Sequence, residues 1–470
     1  MTDTVDREPR SGTSEGAPLH RSASSEGASQ IGRTGRLRLP ASQRRPSRRV
    51  RLRLPRSGIL TYLAFMGPGL IAANAGNDAG GIATYASAGA VYRYSLVWAL
   101  LITCISLIVV QEMCARMGAF TGKGLSDLIR ENFSLRATTL AMAGLLVANT
   151  GITVSEFLGI AASAQIIGIP AWIAVPPIAL VLWYLVTQQG TATSEKLFLG
   201  LSLLFLVYIP AAFHNTDWGS VLHDTVQPHM SLTGAYIGTV VALIGTTISP
   251  YMQFYVQSAV RDNGVSPASY RYTRVEVISG SIFAIAVAGF IIIATGTALC
   301  HPGGCPAGNA SISQPQDFAY ALHSVAGDLS ERLFALGLFG ASMLAAAVLP
   351  LSTAYAVCET FGLESGTEKS FTQAPVFNGI FTGMIAVSTL VAVIPHLPIV
   401  QVLLSLQKLN AIVLPLILWF IIKLVNRVDL MGTHRNGRIF NAIAYVSMIV
   451  LTVLSALYLV GQVGIGPASG

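Results

Sequence analysis

Long apolar runs separated by short polar loops dominate the chain from about residue 58 onward. A run of at least ~18 apolar residues can cross a bilayer as a helix, and about eleven such spans are legible. Their approximate limits are 58–90, 94–118, 137–165, 170–188, 194–213, 232–261, 275–299, 331–358, 375–395, 398–425 and 439–462. The pattern predicts an all-α polytopic membrane protein. Two of the spans, the first and the sixth, are interrupted near their centres.

The first span contains Ala75-Gly76-Asn77-Asp78-Ala79-Gly80-Gly81. Glycine disfavours a helix interior, and Asn and Asp compete for its backbone hydrogen bonds. The sixth contains Thr246-Thr247-Ile248-Ser249-Pro250. Pro250 removes a helix donor there. Unwound backbone is tolerated at membrane depth only where protein buries it or where it lines a cavity. Matching breaks in two halves of a chain point to an inverted repeat with a binding site at the midplane. The bland readings are a hinge whose Asp78 merely caps the second half-helix, and a simple proline kink in span six. The pairing of the two breaks favours the repeat, with spans 1–5 and 6–10 as its halves and the eleventh span outside it.

Composition and charge add to this picture. The chain has 470 residues, 52% hydrophobic and 11% charged, with mean hydropathy +0.60. Soluble domains carry about 25% charged residues, so an integral membrane protein is implied throughout. Residues 1–56 differ, being rich in Ser, Gly, Pro and Arg. Such a segment cannot bury enough apolar surface to order itself, and it reads as a disordered tail. Its arginines, Arg33 to Arg56, suit anionic lipid or nucleic acid, but a cytoplasmic tail obeying the positive-inside rule needs nothing more. Loops holding Arg116, Lys123, Arg130, Arg136, Lys196, Arg261, Arg271, Arg274, Lys369, Lys423, Arg427, Arg435 and Arg438 fall on the same side as the tail, with Arg93 and Arg332 as exceptions. That bias predicts the N-terminus inside and the C-terminus outside. No cleavable signal peptide is read. Cys104, Cys114 and Cys358 read as packing residues. Cys300 and Cys305 bracket a loop predicted to lie outside, where a disulfide persists; a metal site with His301 is the alternative.

Asp78 is the one full charge at the breaks. With the carbonyls of Asn77, Gly76, Thr246 and Thr247 and the Ser249 hydroxyl it makes an all-oxygen set, suited to hard cations that keep some of their water. Glu156 in span three reads either as a relay or as a packing acid paired with a hydroxyl. Gln407 and Asn410 in span ten read as cavity lining. Lys408 reads as snorkelling or acid-paired, and Glu112 as interfacial. No nucleotide-binding loop or HExxH helix is present, so a self-contained ATP pump or membrane protease is unsupported.

The runs GPGLIAANAGNDAGGIATYASAGA, QEMCARMGAFTGKGLSDLIRENF and IGTTISPYMQFYVQSA together resemble the Nramp family of divalent-metal transporters, over about residues 58–460. The resemblance implies a LeuT-like fold of five-plus-five inverted repeats with broken helices one and six. Repeat one would be 57–214, repeat two 231–425, and the extra helix 439–462, within a transporter body of 57–465. The family's span-one motif is Asp-Pro-Gly-Asn and its span-six motif Met-Pro-His. Here they read Asp78-Ala79-Gly80-Gly81 and Ser249-Pro250-Tyr251. Asp78 is kept; Gly81 stands for the Asn ligand, Ser249 for the sulfur and Tyr251 for the histidine. Thr246 takes the backbone-carbonyl position, and Gln407 matches a span-ten glutamine. The implied metal residues are therefore Asp78, Gly81, Thr246, Ser249 and Gln407.

Loss of the thioether removes preference for softer ions. The chain thus looks like the Nramp-related magnesium transporters, with Mg2+ expected and Mn2+ also accepted. Thr153 replaces one acid of the family's span-three pair, Glu156 remains, and span nine lacks arginine. Asn77, Thr153, Glu156 and Tyr251 are candidates for an ion or proton path, but uncoupled, potential-driven uptake is expected. No enzymatic activity and no cofactor are expected. The expected partners are the transported ion and membrane lipid, not nucleic acid, around a monomer in a bacterial plasma membrane. Alternatives are a sodium-coupled amino-acid symporter of the same fold, proton-coupled Mn2+/Fe2+ uptake, and a non-transporting receptor or scaffold.

Overall fold

The computed structural model describes residues 77–188, 203–228, 230–231, 233–299, 314–366 and 369–462. The Arg-rich tail, the first half of span one, the start of span five and the loop with Cys300, His301 and Cys305 lie outside the described residues. Everything regular among the described residues is helical. The described chain opens with α1 (Ala79–Tyr92), α2 (Val97–Thr121), α3 (Leu125–Asn132), α4 (Leu135–Ile166), α5 (Ala171–Gln188) and α6 (Tyr208–Phe213). After α7 (Trp218–Val226) come α8 (Gly234–Thr247), α9 (Pro250–Asp262), α10 (Tyr270–Leu299), α11 (Pro315–Tyr320), α12 (His323–Ala326), α13 (Ser330–Phe361), α14 (Pro375–Ala392) and α15 (Ile399–Val425). The chain closes with α16 (Val428–Met431) and α17 (Arg438–Gln462).

Among the described residues, eight helical stretches are long and apolar enough to cross a membrane, counting α8 and α9 as one. They match predicted spans two, three, six to ten and eleven, with ends a few residues from those expected. The shorter apolar helix α5 is span four. Described pieces of spans one and five are α1 and α6.

The span-six break forms where expected, and the described part of span one begins a helix at the expected point. α1 starts at Ala79 in the middle of its apolar segment, with extended Asp78 as N-cap (ψ 178°). α8 ends at Thr247, Ile248 leaves the helical conformation (ψ 70°), Ser249 is extended (ψ 140°), and Pro250 starts α9. Proline suits that first position because its missing N–H would have had no helical partner.

α1 lies at the centre. Ala79 to Ala90 are all buried, and α1 packs on α4, α8, α10 and α15. Small residues permit that approach. A Cβ on Gly89 would stand 2.3 Å from the Ile292 carbonyl of α10. α4 and α13 pair along their lengths beside it. α17 is peripheral, exposing Ile439, Val446, Ile449, Val450 and Val453. An apolar face of that length suits lipid, since soluble proteins seldom expose large contiguous apolar patches.

At the basic end of the bundle, Arg261 of α9 bridges Asp127 of α3 at 3.2 Å and Glu359 of α13 at 3.3 Å. A cavity of about 590 Å3 opens beside this cluster, between α9 and α13. Glu112 is buried in protein; it pairs with Arg116 at 3.1 Å and accepts from the Tyr270 hydroxyl. One expectation needs correction: Lys408 has no acid partner among the described residues, and its ammonium lies 5.2 Å from the centre of the Tyr458 ring on α17, where the π face stabilises the charge without a carboxylate.

Candidate metal site

The N-terminus of α1 faces two buried acids, Asp78 and Glu156. Asp78 Oδ1 accepts from the Gly81 N–H at 2.7 Å. Glu156 of α4 reaches across, and its Oε2 accepts from the Ala79 N–H at 3.3 Å. Helix N-termini leave N–H groups free and favour negative charge. Each acid thus uses one oxygen on the half-helix. Asp78 Oδ2 has no hydrogen-bond partner among the described residues, whereas the Glu156 carboxyl has the Ser342 hydroxyl beside it. Capping therefore accounts for only half of Asp78. Gly81 contributes to the site through its backbone, not as a ligand side chain. Glu156 also lies within hydrogen-bonding reach of the Ser342 hydroxyl of α13, the kind of partner expected of a packing acid.

Span ten closes a second side. A Cβ on Gly80 would stand 1.8 Å from Gln407 Nε2 and 2.7 Å from Ser155 Oγ. Only glycine lets the Gln407 amide lie against α1 here. Both polar atoms of Gln407 are buried without partners among the described residues, as are those of Asn77. Ser155 Oγ and Thr246 Oγ1 are also unpartnered.

The span-six break forms the third side. Ser249 Oγ donates to the carbonyls of Gly245 and Thr246, each at 3.2 Å. The Thr247 hydroxyl is tied to Tyr85 of α1 at 2.9 Å, so it braces the two half-helices and is not free for an ion. Tyr251 lies among Ile152, Met252, Ala345 and Leu349, within electrostatic reach of Asp78 and Glu156. Thr153 stands apart: its hydroxyl donates to the Asn149 carbonyl within α4 at 2.7 Å.

The chemistry follows from this inventory. Two buried carboxylates at one helix end are costly as anions unless a cation sits with them or a proton neutralises one of them. The surrounding groups are hydroxyls, carboxamides and carbonyls. No cluster of three or more His, Cys, Asp or Glu occurs among the described residues. The residues fit a cation that shares its coordination with water. Gly80, Ser155 and the buried Gln253, whose Oε1 is unpartnered, were not singled out in the sequence. Gly80 had a signal, as a glycine beside the only acid in a break. Ser155 and Gln253 had none.

A helical bundle with an interrupted span six and a helix that starts mid-span at Ala79, around a buried, acidic, oxygen-lined centre, has the architecture of a broken-helix secondary transporter. The profile described as natural resistance-associated macrophage protein-like, Nramp, matches residues 69–461. The chain belongs to the Nramp family. It is 26% identical over 427 residues to a divalent metal cation transporter, MntH, of Pectobacterium carotovorum subsp. carotovorum, covering 88% of this chain and 98% of that one. In structure it resembles the Eremococcus coleocola manganese transporter, with TM-score 0.69 and 19% identity over 88% of this chain and 91% of that one. MhsT, solved in complex with L-phenylalanine, shares the fold more distantly (TM-score 0.53, 14% identity, 83% and 97% covered).

Proposed function

We propose that the protein carries a partly hydrated divalent cation, Mg2+ by preference and Mn2+ as well, into the cell by alternating access. One observation carries this: two buried acids, Asp78 and Glu156, meet at the α1 N-terminus, and Asp78 keeps one oxygen free there. Two such carboxylates match a double positive charge. The unpartnered hydroxyls and carboxamide oxygens of Thr246, Ser155, Asn77 and Gln407 suit acceptance of hydrogen bonds from coordinated water, and Mg2+ sheds its water reluctantly. None of these residues brings sulfur or imidazole, which softer ions favour. The names of the MntH and manganese-transporter relatives support the divalent class.

Uptake is driven by the membrane potential and not by protons. Thr153 is satisfied within its own helix, Tyr251 replaces the histidine, and α14 carries no charged residue. A potential of 100 mV, inside negative, favours a divalent ion by about 4.6 kcal/mol. In this reading the end bearing Arg261 and Glu359 faces the cytoplasm of a bacterial cell, the C-terminus lies outside, and a monomer suffices.

Reconstitution in liposomes tests it. Wild-type protein is expected to carry Mn2+, with Mg2+ competing, and Asp78→Ala to abolish flux; full flux in Asp78→Ala refutes the site. Ion-dependent acidification of the lumen refutes the uncoupled mode.

A further inference from the structure

Asn410 is fully buried on α15, one turn beyond Gln407. Its amide nitrogen donates twice into the span-six break, to the Gly245 carbonyl at 2.6 Å and to Ser249 Oγ at 2.9 Å. Its own Oδ1 has no partner. The backbones are close as well: a Cβ on Gly245 would stand 2.2 Å from the Gln407 carbonyl and 2.8 Å from Ala411 Cβ. α15 therefore grips the break both sterically and by hydrogen bonds.

We propose that Asn410 is a positioning residue that fixes the Ser249 hydroxyl and the carbonyls of the break, and so sets ion selectivity. The proposal rests on the transport reading above and adds a residue to it. A serine hydroxyl has one donor and two acceptor sites. The Ser249 hydroxyl gives its proton to the carbonyl of Gly245 or Thr246 and accepts from Asn410. One acceptor site, in a fixed direction, is left for an ion or its water. The Gly245 carbonyl is held by Asn410, so the Thr246 carbonyl is the more available of the two. Mg2+ demands near-octahedral geometry at short distances, whereas Ca2+ accepts longer and looser shells. Oxygens held in place by Asn410 favour the first; freeing them admits the second.

The test uses full-length protein in liposomes, with Mn2+ influx as readout and Mg2+ or Ca2+ as competitor. Asn410→Leu removes both donors at similar volume. It is expected to raise the KM for Mn2+ about tenfold with Vmax within about twofold, the loss expected for two ordinary hydrogen bonds. Ca2+ is expected to compete better relative to Mg2+. In the Asn410→Leu/Ser249→Ala double variant the losses should not multiply, because Asn410 acts through Ser249. Asn410→Ser, whose short hydroxyl cannot reach both acceptors, is a gentler variant and should show the same KM and Ca2+ changes. Wild-type KM and Mg2+/Ca2+ competition in Asn410→Ser or Asn410→Leu overturn the proposal, as do multiplying losses in the double variant. Asp78→Asn separates the readings: if it transports like wild type, the site itself is wrong; if it is dead while the Asn410 variants are normal, only the positioning role fails.

Discussion

Substituting Gly80 by alanine should damage transport without damaging the fold. Gly80 occupies the first turn of α1, and its φ is not positive. Alanine there is worth about 1 kcal/mol of helix propensity. The added Cβ would meet Gln407 Nε2 at 1.8 Å and Ser155 Oγ at 2.7 Å. Both are ends of side chains that can rotate, and neither atom has a hydrogen bond to lose. The Gln407 amide must swing out of the site. Its oxygen would otherwise interact with the ion or its water, an interaction to a charged group worth about 1.5–3 kcal/mol. The KM for Mn2+ should therefore rise about ten- to a hundredfold, with the unfolding midpoint within a few degrees of wild type. Gly245→Ala is the contrast. Its Cβ would meet the Gln407 backbone carbonyl at 2.2 Å and the Ala411 nitrogen at 2.9 Å. Backbone cannot rotate aside, and overpacking costs about 1–3 kcal/mol or more. That variant should unfold at lower temperature. Thermal unfolding followed by tryptophan fluorescence, together with liposome influx, reads both outcomes. A wild-type KM in Gly80→Ala refutes the placement of Gln407, and so does a Gly80→Ala loss that multiplies with that of Gln407→Ala.

Three further outcomes are expected. Arg261→Met leaves Asp127 and Glu359 without their shared cation; the groups are part-exposed, so a stability loss of about 1–3 kcal/mol is expected, below that of a fully buried pair, with partial recovery on adding Glu359→Gln. Chemical denaturation measures it, and no loss in Arg261→Met argues against the bridge. Ser249→Cys places soft sulfur in the break at nearly constant volume, so Cd2+ should compete with Mn2+ about tenfold better while Mg2+ competes less; unchanged competition removes Ser249 from the site. Deleting residues 1–50 should leave influx unchanged, because the transport reading uses none of them; loss of influx from correctly inserted protein would give the tail a role in transport.

Much of the fold was legible because a bilayer imposes its own grammar. Spans must be long, apolar and helical, and a break must carry residues that disfavour a helix. Asn77, Asp78, Gly80 and Gly81 in one span, and Ser249 with Pro250 in another, therefore announced both breaks. The fates of Glu112 and Lys408 were not legible. A charge within a span can snorkel, pair or sit on a ring, and which occurs depends on the neighbouring side chains: Tyr270 and Arg116 for Glu112, Tyr458 for Lys408. Thr153 and Glu156 lie three residues apart, yet one is satisfied within α4 and the other reaches α1.

The sequence by itself determined the architecture, the positions of the breaks, the single acid within them and the absence of sulfur and imidazole from the span-six motif. Those are local properties of composition and backbone preference. The tertiary structure decided the company of that acid. Glu156 meets the α1 N-terminus across 77 residues of chain, and Asn410 grips the span-six break across 165. Such contacts depend on how closely α4 and α15 approach the half-helices. That distance is set by Gly80 and Gly245, whose missing side chains have meaning only once the opposing helix is in place.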